Sequence, residues 1–310
     1  MAVTVGDFNA IRLAYPDLGL SSNMGDYHVI EITAAELTDM AIRDAIDEAA
    51  LSPGDDLIVI RTTVTNNTIP LTGGQLSINI NAATHGSITI VSLGDVPLTI
   101  DANELSRIMS IGNTSTVALG GLTIANGNDY YGGGIYNYGN LTIANSIITG
   151  NHMPDDHGGN GGGIYNEYGT LTVFHSTFTD NAAGWCCMDG GGIYNDHGTV
   201  TVTNSTFTGN TAGGYGHGGG IYNDQATLTV INSTFTQNYA GDNGGGIYNS
   251  SGSSLTVINS TFTENSTDGG GGGICNYYGT LSLTHSTFSG NTANYGGGIY
   301  ACGGTATVNN

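Results

Sequence analysis

Lysine is absent from this 310-residue chain, and only four arginines occur: Arg12, Arg43, Arg61 and Arg107. Against 25 acidic residues this leaves a net charge of −21. Such a surface repels phosphate backbones and anionic headgroups, which argues against nucleic acid or an anionic membrane as partner. The acidic excess itself needs no ligand, because charge of one sign keeps a long exposed β surface soluble. No stretch approaches the ~18 apolar residues of a membrane span, so no membrane insertion is expected within this segment. No basic-then-apolar leader follows Met1, and any export signal is expected to lie outside this sequence. Cysteine is scarce as well. Cys186, Cys187, Cys275 and Cys302 form no zinc-type spacing and no disulfide framework. The adjacent pair allows a vicinal bridge, and Cys275 with Cys302 allows a bond between neighbouring repeats. Partly buried free thiols are the expected state.

Glycine is abundant, with 52 residues against a usual share of ~7%. GGGIYN stands at 132–137 and recurs unchanged from 161, 190, 218 and 244, followed by GGGICN from 271 and GGGIYA from 296. The isoleucines of these motifs lie 25 to 29 residues apart, and each of the first six motifs is followed by a segment of the type NSTFTxN. Between the two landmarks runs GTLTV or a close relative. Apolar and polar residues alternate with period two in these runs, as in strands, and no unit holds a helical pattern. Three short strands per repeat without a helix describe one coil of a parallel β-helix. Equivalent positions then stack about 4.8 Å apart. Ladders are expected of Ile135/164/193/221/247/274/299 and of Phe178/207/235/262/288 inside. Asn137/166/195/223/249/276 and Asn151/181/210/238/265/291 are expected to form amide ladders at the turns.

The N-terminal third reads differently. Asp7–Tyr15 and Thr38–Leu51 are predicted helical, the second with Thr38 as N-cap and Ser-Pro-Gly as its stop. Strand-like runs follow at 57–60, 76–80, 87–92, 96–100, 108–111 and 117–124. The fold class is therefore all-β, a solenoid of about ten coils. Residues 1–56 form a small α-rich cap, 57–125 irregular coils, and 126–310 the glycine-motif repeats. A cap is expected because an open first coil would template association through its edge. The final GGTATVNN (303–310) begins another repeat and stops partway, so the native protein is expected to continue. End-to-end self-association through an uncapped last coil is a further expectation.

Two resemblances follow from these segments. MAIRDAIDEAALSPGDDLIVI (40–60), LTIDANELSRIMSI (98–111) and LGGLTIANG (119–127) resemble the CSLREA-type N-terminal region of bacterial surface proteins. Here Ala41-Ile42-Arg43-Asp44-Ala45 stands for that family's Cys-Leu-Arg-Glu-Ala. The GGGIYN and NSTFTxN units over 132–310 resemble the repeats of polymorphic outer-membrane proteins and related bacterial adhesins. The resemblance implies a right-handed parallel β-helix on a secreted or cell-surface protein, and it implies no particular chemistry.

Polysaccharide lyases and hydrolases are also built on parallel β-helices, so catalysis needs a direct test. A lyase of the common type uses an Arg or Lys base, and neither occurs after Arg107. A glycosidase needs two carboxylates roughly 5–10 Å apart. The best cluster is NHMPDDHGGN (151–160), where Asp155, Asp156 and His157 could meet Asp129 and Asp189 from neighbouring coils. A solvated acidic loop is the simpler reading; a calcium site or an acid pair are the others. The glycine motif itself is neither a calcium nonapeptide, since no Asp recurs in register, nor a phosphate loop, since helix and Lys are missing. No cofactor is expected, calcium at the acidic loop apart. Two outward arrays remain. Tyr136, Tyr165, Tyr194, Tyr222, Tyr248 and Tyr300, interrupted by Cys275, form a candidate platform for neutral polysaccharide or cell-surface glycan, with Tyr138, Tyr168 and Tyr278 near the next turn. Equally, such tyrosines simply suit a β surface. Thr-x-Thr ranks (170/172, 199/201, 227/229) resemble ice-binding surfaces and are also what β propensity produces. The reading favoured is a non-catalytic structural or adhesive module, with a polysaccharide-degrading enzyme as the alternative.

Overall fold

The computed structural model describes residues 2–154, 158–184 and 187–309. The chain winds into a parallel β-helix of about ten coils, and every paired strand runs parallel to its neighbours. Three long sheets form its walls. The first, of eleven strands, holds the GTLTV segments; it starts at Tyr27–Ile32 and ends at Thr305–Asn309. The second, the tyrosine sheet, has nine strands from Leu76–Ile78 to Ile299–Cys302 and contains the IYN segments. The third, the phenylalanine sheet, has nine from Thr68–Pro70 to Thr287–Ser289. A fourth, narrow sheet of two-residue strands (Ala182–Ala183, Thr211–Ala212, Tyr239–Ala240, Ser266–Thr267) adds a side that the alternation pattern did not show. Two residues cannot display a period of two.

The expected ladders form. Ile135, Ile164, Ile193, Ile221, Ile247, Ile274 and Ile299 pair in register along the tyrosine sheet. Phe178, Phe207, Phe235, Phe262 and Phe288 stack with centroids 4.5 to 4.9 Å apart, which is the intercoil spacing itself. Both asparagine ladders are hydrogen-bonded: Asn166 Nδ2 donates to Asn195 Oδ1 at 2.8 Å, and Asn181 Nδ2 donates to Asn210 Oδ1 at 2.9 Å. Each buried amide is thus satisfied by the next coil, which offsets the cost of dehydrating it.

The glycine triplet has a separate reason at each position. Gly190 sits at φ +71°, where a side chain is strained. A Cβ on Gly191 would lie 2.5 Å from the carbonyl oxygen of Gly219, and one on Gly192 would lie 2.6 Å from that of Gly220. Coil backbones therefore approach each other here too closely for any other residue.

The N-terminal helices do two different jobs. Helix α1 (Val5–Ala14) lies on the outer face of the eleven-stranded sheet, with Phe8 and Ile11 against Leu57, Val59 and Val91. Helix α2 (Asp39–Leu51) closes the open end, and its Ile42, Ala45, Ile46 and Ala49 join the solenoid core. Thr38 caps it, its Oγ1 accepting the Ala41 N–H at 3.1 Å. The strand Tyr27–Ile32 was not evident in the sequence; it lies between the helices and pairs with Asp55–Thr62. His28 on that strand bridges the buried Asp56 (2.9 Å) and Glu48 of α2 (3.3 Å). Beyond α1, Tyr15 and Leu18 lie against Gly120 and Gly121, where a Cβ would collide with them.

Candidate functional site

The tyrosines of GGGIYN follow the buried isoleucine, so strand alternation turns them to the outside of the tyrosine sheet. They stack there as a column: Tyr136 on Tyr165 at 5.7 Å, Tyr165 on Tyr194 at 5.2 Å, Tyr194 on Tyr222 at 4.7 Å and Tyr222 on Tyr248 at 5.0 Å. Cys275 then interrupts the register, and Tyr300 stands apart beside Tyr295. Three of the hydroxyls are engaged as well. Tyr136 donates to Glu167, Tyr165 to Asp196 at 2.7 Å and Tyr194 to Asp224 at 3.0 Å, each acid belonging to the following coil.

The column is not the exposed strip expected from alternation. Tyr165, Tyr194 and Tyr248 are each only 6% exposed, and Tyr136, Tyr222 and Tyr300 are half-buried. Residues just before two of the glycine triplets lie over the rings. Tyr131 contacts Tyr165 at 5.2 Å, and His217 stacks on Tyr248 at 4.6 Å. Burial, reinforced by the neighbouring carboxylates, raises the pKa of Tyr136, Tyr165, Tyr194, Tyr222 and Tyr248. They remain neutral donors, and the column behaves as a second, outer core.

Beside it runs a polar column made of the residues before the second to fifth triplets: Asn160, Asp189, His217 and Asn243. The Asp189 N–H donates to Asn160 Oδ1 at 3.1 Å, Asp189 Oδ1 accepts the His217 N–H at 2.7 Å, and Asn243 Nδ2 lies 3.4 Å from His217 Nδ1. Burial, with repulsion from Asp224 and Asp242, pushes the Asp189 carboxyl up to about 7 despite that backbone hydrogen bond. Burial also lowers the pKa of His217, with Asp242 opposing. Asp189 is therefore a carboxyl that can hold a proton close to neutral pH.

Of the other acidic candidates, Asp155, Asp156 and His157 lie outside the described residues. Asp129 is taken up by Arg107, whose Nη2 reaches its carboxylate at 2.7 Å. Among the described residues no group of three His, Cys, Asp or Glu side chains is placed to hold a metal. Cys275 is buried, which pushes its thiol up to about 12, and Cys302 stands opposite Tyr277; both are free thiols. The Cys186–Cys187 bridge falls partly outside the described residues. His175, in the Asn slot of NSTF, is held by Asp17 (3.0 Å) and Asn204 (3.0 Å). The threonine ranks on the eleven-stranded sheet are in register, Thr172 beside Thr201 beside Thr229, and partly exposed.

Sequence reasoning missed the pairing of Tyr136, Tyr165 and Tyr194 with acids. Its signal is the acid after IYN in IYNE (164–167), IYND (193–196) and IYND (221–224). A second aromatic row, at the corner after this sheet, does face solvent: Tyr138 meets Tyr168 edge-on at 5.9 Å, and Tyr168 stacks on His197 at 5.0 Å.

A family model described as a right handed beta helix region matches residues 61–262. A second, the Chlamydia polymorphic membrane protein repeat, matches 259–277 and 285–302. Among solved structures, pectate lyase Pel9A is similar at 14% identity with a TM-score of 0.52, over 96% of this chain and 80% of that one. ORF18 of Geobacillus virus E2 is similar at 11% identity with a TM-score of 0.50, over 90% of this chain and 62% of that one. At these identities the likeness concerns the fold alone. No curated protein matches the sequence.

Proposed function

Because the chain belongs to the right-handed β-helix family, we propose that it is a non-catalytic structural and adhesive module of a bacterial cell-surface or secreted protein. The observation that carries this reading is where the most repeated side chains go. The Ile, Phe and Asn ladders, and most of the tyrosine column, bind the next coil rather than face a cleft. Such a solenoid is a stiff rod on which exposed residues are held at fixed spacing. The match to a polymorphic membrane protein repeat supports a surface location. Contact with neutral glycans falls to the exposed corner aromatics, Tyr138 and Tyr168, since the column itself is covered. The test is adhesion of beads coated with the protein to cells, alongside an assay for new reducing ends or unsaturated products over a polysaccharide panel. Adhesion without turnover supports the reading, and turnover overturns it.

One observation favours the enzyme alternative. Asp189 is a partly buried carboxyl with its pKa near 7, the property of a general acid. In that case any turnover is lost in Asp189→Asn, or in Asp155→Asn with Asp156→Asn. Turnover unchanged in all of these removes the acidic loops from the chemistry.

A further inference from the structure

We propose that a depression at the N-terminal end of the tyrosine sheet binds a single neutral pyranose unit of a glycan. The inference rests on the adhesive reading above and gives it a site. The column of outward positions on this sheet does not begin with tyrosine. Ser77 pairs in register with Ser110, and Ser110 with Tyr136. Two rungs therefore carry a hydroxymethyl group where later rungs carry a phenol ring. The Arg107 guanidinium, 5.4 Å from the Tyr136 ring centroid, ends the stack. Beyond it lies a shallow cavity of about 420 Å³ lined by Ser77, Asn79, Ser110, Asn113 and Tyr138.

Each part of that lining suits a sugar. Tyr138 forms one wall, 37% exposed. Its N–H donates to the Ile111 carbonyl at 2.9 Å, and the edge-on contact with Tyr168 braces its ring from the side of the next coil. Tyr168 is braced in turn by His197, which is bonded to Asp196. The ring is thus pre-positioned to receive the C–H face of a pyranose at little entropic cost. Asn79 and Asn113 are exposed and make no side-chain hydrogen bond to protein among the described residues. An amide both donates and accepts, which matches a row of sugar hydroxyls. No charged side chain lines the cavity, and the net charge of −21 opposes uronates and phosphates. The volume lies at the low end of small-ligand sites, enough for one ring of a longer chain that continues into solvent.

The intact chain, probed on an array of neutral and uronate-containing glycans, tests the site. Neutral glycans are expected to bind, about tenfold more weakly in Tyr138→Ala and in Asn79→Ala with Asn113→Ala. Binding is expected to be kept in Tyr138→Phe and in a distant control, Tyr215→Ala. Circular dichroism of each variant checks folding, and the asparagine pair keeps the test open where Tyr138→Ala fails to fold. Absence of neutral-glycan binding, preference for uronates, or binding indifferent to both variants overturns the site. Bead adhesion measured in parallel separates the two levels. Wild-type adhesion that persists without array binding overturns the site and leaves the adhesive reading standing, whereas loss of wild-type adhesion removes the reading itself.

Discussion

In the coils before residue 126, the inward column of the phenylalanine sheet is Ile69, Ile100 and Ile124, and Ile148 follows. From the next coil the same column is Phe178, Phe207, Phe235, Phe262 and Phe288. A second column changes in the same way: Ile78 and Ile111 are succeeded by Asn137 and the amide ladder. At the unladdered corner Ser115 substitutes, its Oγ accepting the Ile80 N–H at 2.9 Å. The first coils are also held by charge, through Arg43–Asp39, Arg61–Asp7 and Arg107–Asp129, while the repeats contain no Arg or Lys at all. The backbone ladder, not the repeat, makes the coil. Aliphatic side chains fill the cross-section without sequence regularity. Rings and amides need regularity, because each takes its partner from the coil above at a fixed spacing.

The largest blow to the repeat half is expected from Phe235→Ala, which empties a ring from the middle of the stack and costs about 3–5 kcal/mol. Urea unfolding reads it. The pair Phe207→Ala and Phe235→Ala should couple by about 0.5–1.5 kcal/mol, and the pair Ile69→Val and Ile100→Val should be nearly additive. Equal coupling in both halves would dissolve the distinction drawn between them.

Asp189→Asn comes next and acts with the opposite sign. The folded carboxyl has its pKa raised to about 7, so the stability linked to its proton is full below an unfolded value of about 4. That stability is lost as pH rises through about 7. The variant should therefore match wild type near pH 4 and exceed it at pH 8 by up to about 4 kcal/mol, the Asn oxygen keeping the His217 N–H. Melting temperatures at the two pH values decide it, and no pH-dependent difference would mean that Asp189 is solvated.

Asn210→Ala removes one rung of an amide ladder. It strands the Phe178 carbonyl, 3.0 Å from Asn210 Nδ2, together with the donors of Asn181. A loss of about 2–3 kcal/mol is expected, again by urea unfolding. The smallest effect is expected at the cap. Thr38→Ala should cost about 1 kcal/mol, visible as faster hydrogen exchange in α2 while the repeat coils are unchanged.

The ladders were legible because GGGIYN and NSTFTxN recur at intervals that leave one consistent register. Thr38 was legible as an N-cap because an amphipathic run begins directly after it. Tyr27–Ile32 was missed because Glu31 and His28 break its apolar pattern, and both find partners far along the chain, Arg61 and Asp56. The polar column of Asn160, Asp189, His217 and Asn243 was hidden by its varied residue types, although each stands directly before a triplet. The binding depression was hidden for a related reason: Ser77 and Ser110 become meaningful only when register shows which later residue each replaces.

Sequence alone specified the repeat length of the coil and which residue of each GTLTV, IYN and TFT strand points inward. Alternation is a property of the extended backbone and needs no knowledge of neighbours. Whether an outward residue meets water was decided only in three dimensions. The tyrosines of GGGIYN point out as alternation requires, yet they are covered, because aperiodic turns fold over them and rings such as that of His217 stack on theirs. Helix α1 is a second such decision. Its apolar stripe shows that it must pack somewhere, and only the complementary outer face of Leu57, Val59 and Val91 made that place the side of the solenoid.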